Sequence, residues 1–168
     1  MMDLQAVTAA MIAYDAGDPM RIHHFLKVHA FARLIGLSEG LSADLQEITE
    51  VAALVHDIGI HRAEALYGSS AGKYQEELGP AEAEALLRTL NAPSALTARV
   101  SYLVGHHHTY TNIDGLDYQI LVEADFLVNL YEDQIPAAAK KHAYASIFRT
   151  ESGKRLCREL YPEVTREE

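Results

Sequence analysis

One nine-residue stretch places two side chains that can bind a metal or transfer a proton inside an apolar segment. It reads Val51-Ala52-Ala53-Leu54-Val55-His56-Asp57-Ile58-Gly59. The apolar neighbours predict that His56 and Asp57 are buried, and burying an imidazole and a carboxylate without partners is strongly unfavourable. Two arrangements would satisfy the pair: a hydrogen bond between neighbours in the core, or a metal ion beside the helix. These nine residues leave both arrangements open.

Another histidine lies on the buried side of an earlier predicted helix. Apolar residues follow His24 at offsets of 4, 7 and 11, which places them on one stripe of a helix with 3.6 residues per turn. These residues are Val28, Phe31 and Ile35. His24 is therefore predicted to point into the core. His23 and His29 fall off this stripe and are predicted to be exposed or locally hydrogen-bonded.

A second carboxylate has the same kind of surroundings. Asp125 shares a helical stripe with four residues at offsets of −7, −4, −3 and +3, namely Tyr118, Leu121, Val122 and Val128. This carboxylate is therefore predicted to be buried and to need a partner. Glu123 and Asp133 lack such an environment and are predicted to lie on the surface.

Two imidazoles and two carboxylates thus face inward on three predicted helices: His24, His56, Asp57 and Asp125. A divalent cation accepts such a mixed set of nitrogen and oxygen ligands, and it neutralises carboxylates that burial would otherwise protonate. The lack of thiolate ligands argues against a structural zinc finger. Because this set leaves coordination positions for water, the predicted ion is manganese, iron, cobalt or nickel, with zinc and magnesium as further candidates.

Helical periodicity predicts an all-α fold with seven or eight helices. They are expected at about residues 3–16, 20–35, 42–57, 80–90, 94–104, 116–133, 136–149 and 154–161. No alternating run longer than four residues appears, so essentially no sheet is expected. Residues 60–78 show no clear period and are predicted to form a long loop, a feature that is usually functional or mobile.

The composition is that of an ordinary globular protein. The 168 residues are 49% hydrophobic and 23% charged, which favours one domain spanning 1–168. A formal net charge of −10 argues against sequence-independent binding to nucleic acid. No apolar stretch approaches the roughly 20 residues needed to cross a membrane. With Cys157 as the only cysteine and no recognisable secretory signal, a cytoplasmic location is expected. An acidic surface with an apolar first helix permits a homodimer.

The order of the four inward-facing residues resembles the HD-domain superfamily of metal-dependent phosphohydrolases, in which a histidine, a His-Asp pair and an aspartate follow one another. The matching segments are His24-Phe25-Leu26-Lys27-Val28 with Ala32, Ala53-Leu54-Val55-His56-Asp57-Ile58-Gly59, and Val122-Glu123-Ala124-Asp125. The resemblance covers about residues 18–130. It implies a single-domain helical bundle in which the four inward-facing residues bind one ion. The C-terminal helices at 136–161 would pack on this core.

Many members of that superfamily bind a second metal through additional histidines, one of them in a His-Pro pair after the HD segment. Here Gly79-Pro80 stands at that place, so this ligand is missing, and Glu77 or His61 could substitute for it. Before the last aspartate the chain instead offers three consecutive histidines, His106 to His108. We therefore expect one firmly bound cation, and either a weaker second site or a substrate-binding role for this histidine run.

The resemblance implies hydrolysis of a phosphomonoester or phosphodiester, with a nucleotide as the expected substrate. In such reactions a divalent cation activates water and polarises the phosphoryl oxygen. Asp57 is the candidate general base, and His106 and His107 are candidates for protonating the leaving group or stabilising phosphate charge. The candidate substrate-binding residues are Arg21, Lys73 and His108.

Two other functions fit the same residues. A few HD-fold relatives hold two irons and use dioxygen, and the surplus of histidines keeps a di-iron oxygenase open. The third function is a non-catalytic module whose metal binds a nucleotide or a partner. Bound iron with dioxygen-dependent turnover would indicate the oxygenase, whereas nucleotide binding without turnover would indicate the module.

Overall fold

Helices account for the regular structure of the chain. The computed structural model describes residues 1–166, and within that range the chain forms nine α-helices, one short 3₁₀ helix and no strand. The α-helices are α1 (Leu4–Tyr14), α2 (Pro19–Glu39), α3 (Ala43–Val55), α4 (Ile60–Tyr67), α5 (Gly72–Thr89), α6 (Ser94–Val104), α7 (Leu116–Glu132), α8 (Ala137–Ser146) and α9 (Glu151–Leu160), and the 3₁₀ helix covers Pro162–Thr165. The all-α prediction is confirmed. None of the helices in the described range is long and apolar enough to span a bilayer.

Capping side chains explain where several helices begin. Four residues accept a hydrogen bond from a backbone N–H in the first turn of the helix that follows: Asp3, Asp18, Ser42 and Thr150. These residue types are preferred at that position because helix N-termini leave backbone donors unpaired. Helix α2 ends at Glu39, beyond the predicted end at residue 35. Gly40 follows as its C-cap, with a φ angle of 73° that glycine adopts without strain.

The core is built around α2, α3 and α7. Helix α2 packs against both of the others, and α3 also packs against α7 and α6. Their inward faces carry fully buried apolar side chains, including Phe25, Val28, Ile35, Leu54, Leu121 and Leu127. Helix α9 lies against α2 and α7, while α5 pairs with α6. The three helices at the centre are those predicted to carry the metal ligands.

The prediction of a long loop at residues 60–78 was wrong. Most of that segment is helical, forming α4 and the first part of α5. Helix α4 is only eight residues long and buries just Ile60 and Ala63, so its apolar period is too short to recognise in the sequence. The glycines at positions 68, 72 and 79 further conceal the helical pattern.

The sequence predicted a helix that begins at Pro80, but Pro80 lies inside α5. A proline in a helix removes one backbone hydrogen bond. Here the ring packs at the end of α6, where its Cγ atom lies 3.0 Å from the position that a Cβ on Gly105 would occupy. The preceding Gly79 touches Gly59, since a Cβ on Gly59 would come within 2.9 Å of the Gly79 backbone. Two glycines therefore allow α5 to lie directly against the end of the His-Asp segment.

The prediction that Glu123 lies on the surface was also wrong. Its side chain is fully buried in α7 and accepts three hydrogen bonds from the start of α9. The donors are the backbone N–H of Arg149 at 2.5 Å, the backbone N–H of Thr150 at 2.9 Å and the Thr150 hydroxyl at 2.9 Å. These donors lie more than 25 residues away in sequence, so local periodicity does not reveal them.

We predict that Glu123→Ala destabilises the protein by about 3 kcal/mol, because removing the carboxylate leaves three buried donors without an acceptor. The measurement is chemical unfolding in urea. The matched control is Glu159→Ala, which makes the same change at an exposed position. Glu159 makes only a 4.0 Å ion pair with Arg155 at the surface, so its loss should change the free energy of unfolding by less than about 0.5 kcal/mol. Equal effects of the two substitutions would contradict the assignment.

Candidate metal centre

The four predicted ligands meet at one place in the structure, and we call them the ligand cluster: His24 of α2, His56 and Asp57 in the turn after α3, and Asp125 of α7. The Nε2 atom of His24 lies 3.3 Å from Asp57 Oδ2 and 3.1 Å from Asp125 Oδ1. The Nε2 atom of His56 lies 3.4 Å and 3.5 Å from the same two oxygens. Two imidazole nitrogens and two carboxylate oxygens therefore face one another at the centre of the bundle.

The other ring nitrogen of each histidine near this point is already hydrogen-bonded. His56 and His107 both hold Nδ1 2.8 Å from the carbonyl oxygen of the residue three positions earlier. His24 Nδ1 lies 2.9 Å from Glu132 Oε2. A carbonyl or carboxylate oxygen can only accept, so each Nδ1 donates its hydrogen and each neutral ring carries its lone pair on Nε2. All three Nε2 atoms face carboxylates, and a hydrogen bond donated from the other ring nitrogen is the arrangement found in metal-binding histidines.

A divalent cation fits these donor atoms. The Nε2 atoms of His24 and His56 lie 3.2 Å apart, and their lone pairs repel unless a positive group lies between or beside them. Within the described residues, the buried Nε2 of His107 has no hydrogen-bond partner, although Asp57 Oδ1 is 3.3 Å away. The donor atoms of His24, His56 and Asp57 all lie within 4.8 Å of one another. Nitrogen and carboxylate donors of this kind suit first-row divalent metals.

The charges in the cluster reinforce this conclusion. Burial alone lowers the pKa of His56, but the charge of Asp57 and a hydrogen bond to Asp125 hold that pKa well above its ordinary value. Burial alone raises the pKa of Asp57, yet His56 and His107 hold it well below its ordinary value. The pKa of Asp125 is likewise lowered, against burial, by His24 and His56, which donate a hydrogen bond to it from Nε2 when their rings are protonated. Both carboxylates thus stay ionised and attract positive charge.

A second group of donors shares Asp57 with the ligand cluster. Donor atoms of Asp57, His107 and His108 lie within 4.8 Å of one another. Asp57 directs Oδ2 toward His24 and His56 and Oδ1 toward His107, so one carboxylate lies between the two groups. Burial, together with the charge of His107, lowers the pKa of His108 to about 4. His108 is therefore neutral at pH 7, the form that can bind a cation.

The ligand cluster opens into a cavity of about 710 Å³, which we call the metal cavity. Two predicted substrate-binding residues, Arg21 and His108, line it, and so does Lys27. The Lys27 ammonium lies 2.5 Å from Glu132 Oε1, whereas the Arg21 guanidinium makes only a 3.7 Å contact with Glu64. The Arg21 side chain is therefore the less firmly held of the two cations.

Two other predicted residues lie outside the metal cavity. His106 stacks on Tyr102 with ring centroids 4.0 Å apart, and its Nδ1 donates to the Tyr102 carbonyl oxygen at 2.7 Å. The Lys73 ammonium lies 4.7 Å from the centroid of the Tyr74 ring. Neither residue is part of the cavity wall. The structure thus brings Arg21, but not Lys73, to the predicted substrate site.

The two residues considered as substitutes for the missing histidine at position 79 make other contacts. Glu77 accepts a hydrogen bond from the Tyr67 hydroxyl at 2.7 Å. His61 Nε2 lies 3.2 Å from Asp15 Oδ1. Neither belongs to the second donor group, which is formed by residues of the histidine run together with Asp57.

Sequence reasoning missed three residues that support the ligand cluster. Glu132 holds His24 at Nδ1, and Lys27 pairs with Glu132. The side-chain amide of Asn129 donates to Asp125 Oδ1 at 2.9 Å. Asn129 and Glu132 follow Asp125 by four and seven positions on α7, so they lie on the same helical face. That spacing is a signal in the sequence that could have identified both.

Comparisons with known proteins agree with this arrangement. The HD domain family matches residues 21–147. The crystal structure of a predicted HD superfamily hydrolase from an uncultured Thermotogales bacterium is similar, with a TM-score of 0.63 and 30% sequence identity over 96% of this chain and 84% of that chain. No curated protein matches the chain. Because the family match spans more than half of the chain and includes the whole ligand cluster, this protein belongs to the HD domain family.

Proposed function

We propose that the protein is a metal-dependent phosphohydrolase that cleaves a phosphomonoester or phosphodiester, with a nucleotide as the expected substrate. The observation that carries the proposal is the convergence of the ligand cluster on the wall of a cavity large enough for a small organic phosphate. The similarity to a predicted HD superfamily hydrolase supports hydrolysis as the reaction class. When bound, the cation supplies an electrophile for a phosphoryl oxygen and lowers the pKa of water.

Arg21 is the residue that we assign to binding the phosphate. A guanidinium offers a planar set of N–H donors that matches phosphate oxygens. The ion pair between Arg21 and Glu64 is long and partly exposed, so exchanging it for a phosphate costs little. Lys27 pairs with Glu132, and we assign it to holding that carboxylate against His24.

Asp57 is assigned to holding the cation and orienting the attacking water. Because the pKa of this carboxylate lies well below its ordinary value, Asp57 accepts a hydrogen bond from water more readily than it takes the proton. Its role as general base stays a prediction. His107 is fully buried behind Asp57, so we assign it to positioning that carboxylate and not to touching substrate. Neutral His108, on the cavity wall, donates its Nε2 hydrogen to Gln75 Oε1 at 3.1 Å, so its other ring nitrogen is left to accept a hydrogen bond or to bind a cation.

A di-iron oxygenase is the second candidate, and one observation favours it. The second donor group shares Asp57 with the ligand cluster, as a bridging carboxylate between two ions would. Two equivalents of iron per chain, together with dioxygen consumption and no phosphate release, would select this candidate over the hydrolase.

We predict that the purified protein binds about one divalent cation per chain tightly and that His56→Ala loses it, because the remaining donors no longer enclose the ion. Elemental analysis after gel filtration measures the metal content. His142→Ala on the exposed face of α8 is the control and should keep the metal. Metal retained at the parent level in His56→Ala would refute the ligand assignment.

We predict that Glu132→Gln weakens cation binding about 10- to 100-fold while leaving the ligands in place, since the partners of ligating histidines have effects of this size. Competition with a chelating dye measures the dissociation constant. The exposed Glu159→Gln is the matched control, because it makes the same chemical change away from the site. Unchanged affinity in Glu132→Gln would show that the bond to His24 Nδ1 does not tune the site.

We predict that Arg21→Ala lowers kcat/KM for phosphate ester hydrolysis about 10- to 100-fold, the size expected for one charged hydrogen-bonding group. Phosphate release from a nucleotide panel with added Mn²⁺ measures the rate. Arg33→Ala, on the same helix but paired with Glu50 at 3.0 Å, is the control and should be close to the parent. Equal losses in both variants would point to damage to α2 and not to substrate binding.

A further inference from the structure

A second, apolar cavity of about 510 Å³, which we call the apolar annex, shares part of its lining with the metal cavity. It lies between α7 and α8 and the segments that follow them. Its apolar wall consists of Phe126, Leu130, Ile135, Ala139, Ala143 and Ile147. His108, Asn129 and Asp133 line both cavities. The two cavities therefore lie next to each other and share one side.

The shared side lies directly beside the ligand cluster. The Asn129 amide donates to Asp125 Oδ1 at 2.9 Å, so the junction is one side chain away from a proposed metal ligand. His108 belongs both to the junction and to the second donor group around Asp57. A phosphate held at the cluster would thus have its ester substituent within reach of the annex.

The chemistry of the annex differs from that of the metal cavity. The Tyr110 and Phe126 rings meet edge to face, with centroids 5.1 Å apart, beside the aliphatic wall. Three of the polar side chains in the wall are already engaged in hydrogen bonds: Asn129 with Asp125, His108 with Gln75, and Ser146 with a backbone carbonyl. The annex is therefore suited mainly to burying carbon.

The charges around the junction disfavour a second anionic group. Among the residues that line the metal cavity within the described range, four carry carboxylates and two carry permanent cations, so even a bound divalent cation only balances them. The carboxylates are Asp57, Asp125, Glu132 and Asp133, and the cations are Arg21 and Lys27. Asp133 also lines the annex, where it would repel a further phosphate. An uncharged substituent thus suits the annex better than an anionic one.

We propose that the apolar annex binds the uncharged alkyl or aryl group of a phosphomonoester whose phosphate lies at the ligand cluster. This inference rests on the proposed function and narrows its substrate class. In the reaction, the oxygen of water forms a bond to phosphorus, the bond between phosphorus and the ester oxygen breaks, and the alcohol leaves with a proton that water supplied. The annex holds that alcohol, so specificity lies in α7 and α8.

The test compares binding and turnover in matched series. Alkylphosphonates from methyl to hexyl have no cleavable ester bond, so calorimetry with Mn²⁺-loaded protein measures binding without turnover. In the parent, each added methylene should tighten binding about fourfold, the effect of burying one CH₂ group. Ala139→Leu fills the annex from an exposed position on α8 and should abolish this dependence while leaving methylphosphonate binding unchanged. Ala138→Leu, its exposed neighbour outside the annex wall, should behave like the parent.

The second series measures phosphate release from methyl, hexyl and phenyl phosphate with the same three proteins. Higher kcat/KM for hexyl and phenyl phosphate in the parent, lost in Ala139→Leu alone, supports the proposal. Phosphonate affinity that does not change with chain length in the parent overturns it, even if every ester is hydrolysed. Phosphonate binding that depends on chain length, without hydrolysis of any ester, would support the annex as a binding site and refute the phosphohydrolase function.

Discussion

The structure depends on one electrostatic constraint: Asp57 and Asp125 stay ionised together in the middle of an apolar bundle. Two buried carboxylates this close repel each other, and burial favours their protonation. The bundle offsets this with three imidazoles whose Nδ1 hydrogens are already donated to backbone or carboxylate oxygens. Their Nε2 lone pairs then face the carboxylates, and only positive charge at the centre satisfies both kinds of group. A cation-binding site is therefore inherent in the arrangement of hydrogen bonds around the cluster.

The helices are arranged so that this constraint is met by rigid elements. Helices α2, α3 and α7 pack on one another over fully buried apolar faces, and each carries or adjoins a member of the cluster. Their supports are local as well: Asn129 and Glu132 come from the same helix as Asp125, at four and seven positions further on. Helix α5 completes the site from the other side, where Gln75 contacts His108 at 3.1 Å. The ligands therefore lie on packed helices or, for His56 and Asp57, in the short turn that joins α3 to α4.

The sequence predicted those parts of the molecule that depend on local periodicity. His24 and Asp125 could be placed in the core because each shares a stripe with apolar residues, and the structure buries both. Burial of Glu123 could not be predicted, because the groups that donate hydrogen bonds to it lie more than 25 residues away in the sequence. The helices within residues 60–78 were missed for a different reason: Gly68, which ends α4 at a positive φ, and Gly72, which contacts His108, break the helical pattern in the sequence. The apolar annex could not be predicted from the sequence either, because it forms only where α7 and α8 come together.

The glycine at position 79 shows how packing shapes the second donor group. In many relatives a histidine before the proline supplies a metal ligand, but here a Cβ at position 79 would stand 2.7 Å from the Cγ1 atom of the fully buried Val104. A larger side chain would have to displace the Val104 side chain, so the close contact between α5 and α6 disfavours a ligand at this position. That same contact brings the end of α6, and with it His107 and His108, up to Asp57. His107 and His108 thus provide donor atoms beside Asp57 although position 79 offers none, and the residues that could hold a second ion follow α6 and do not lie on α5.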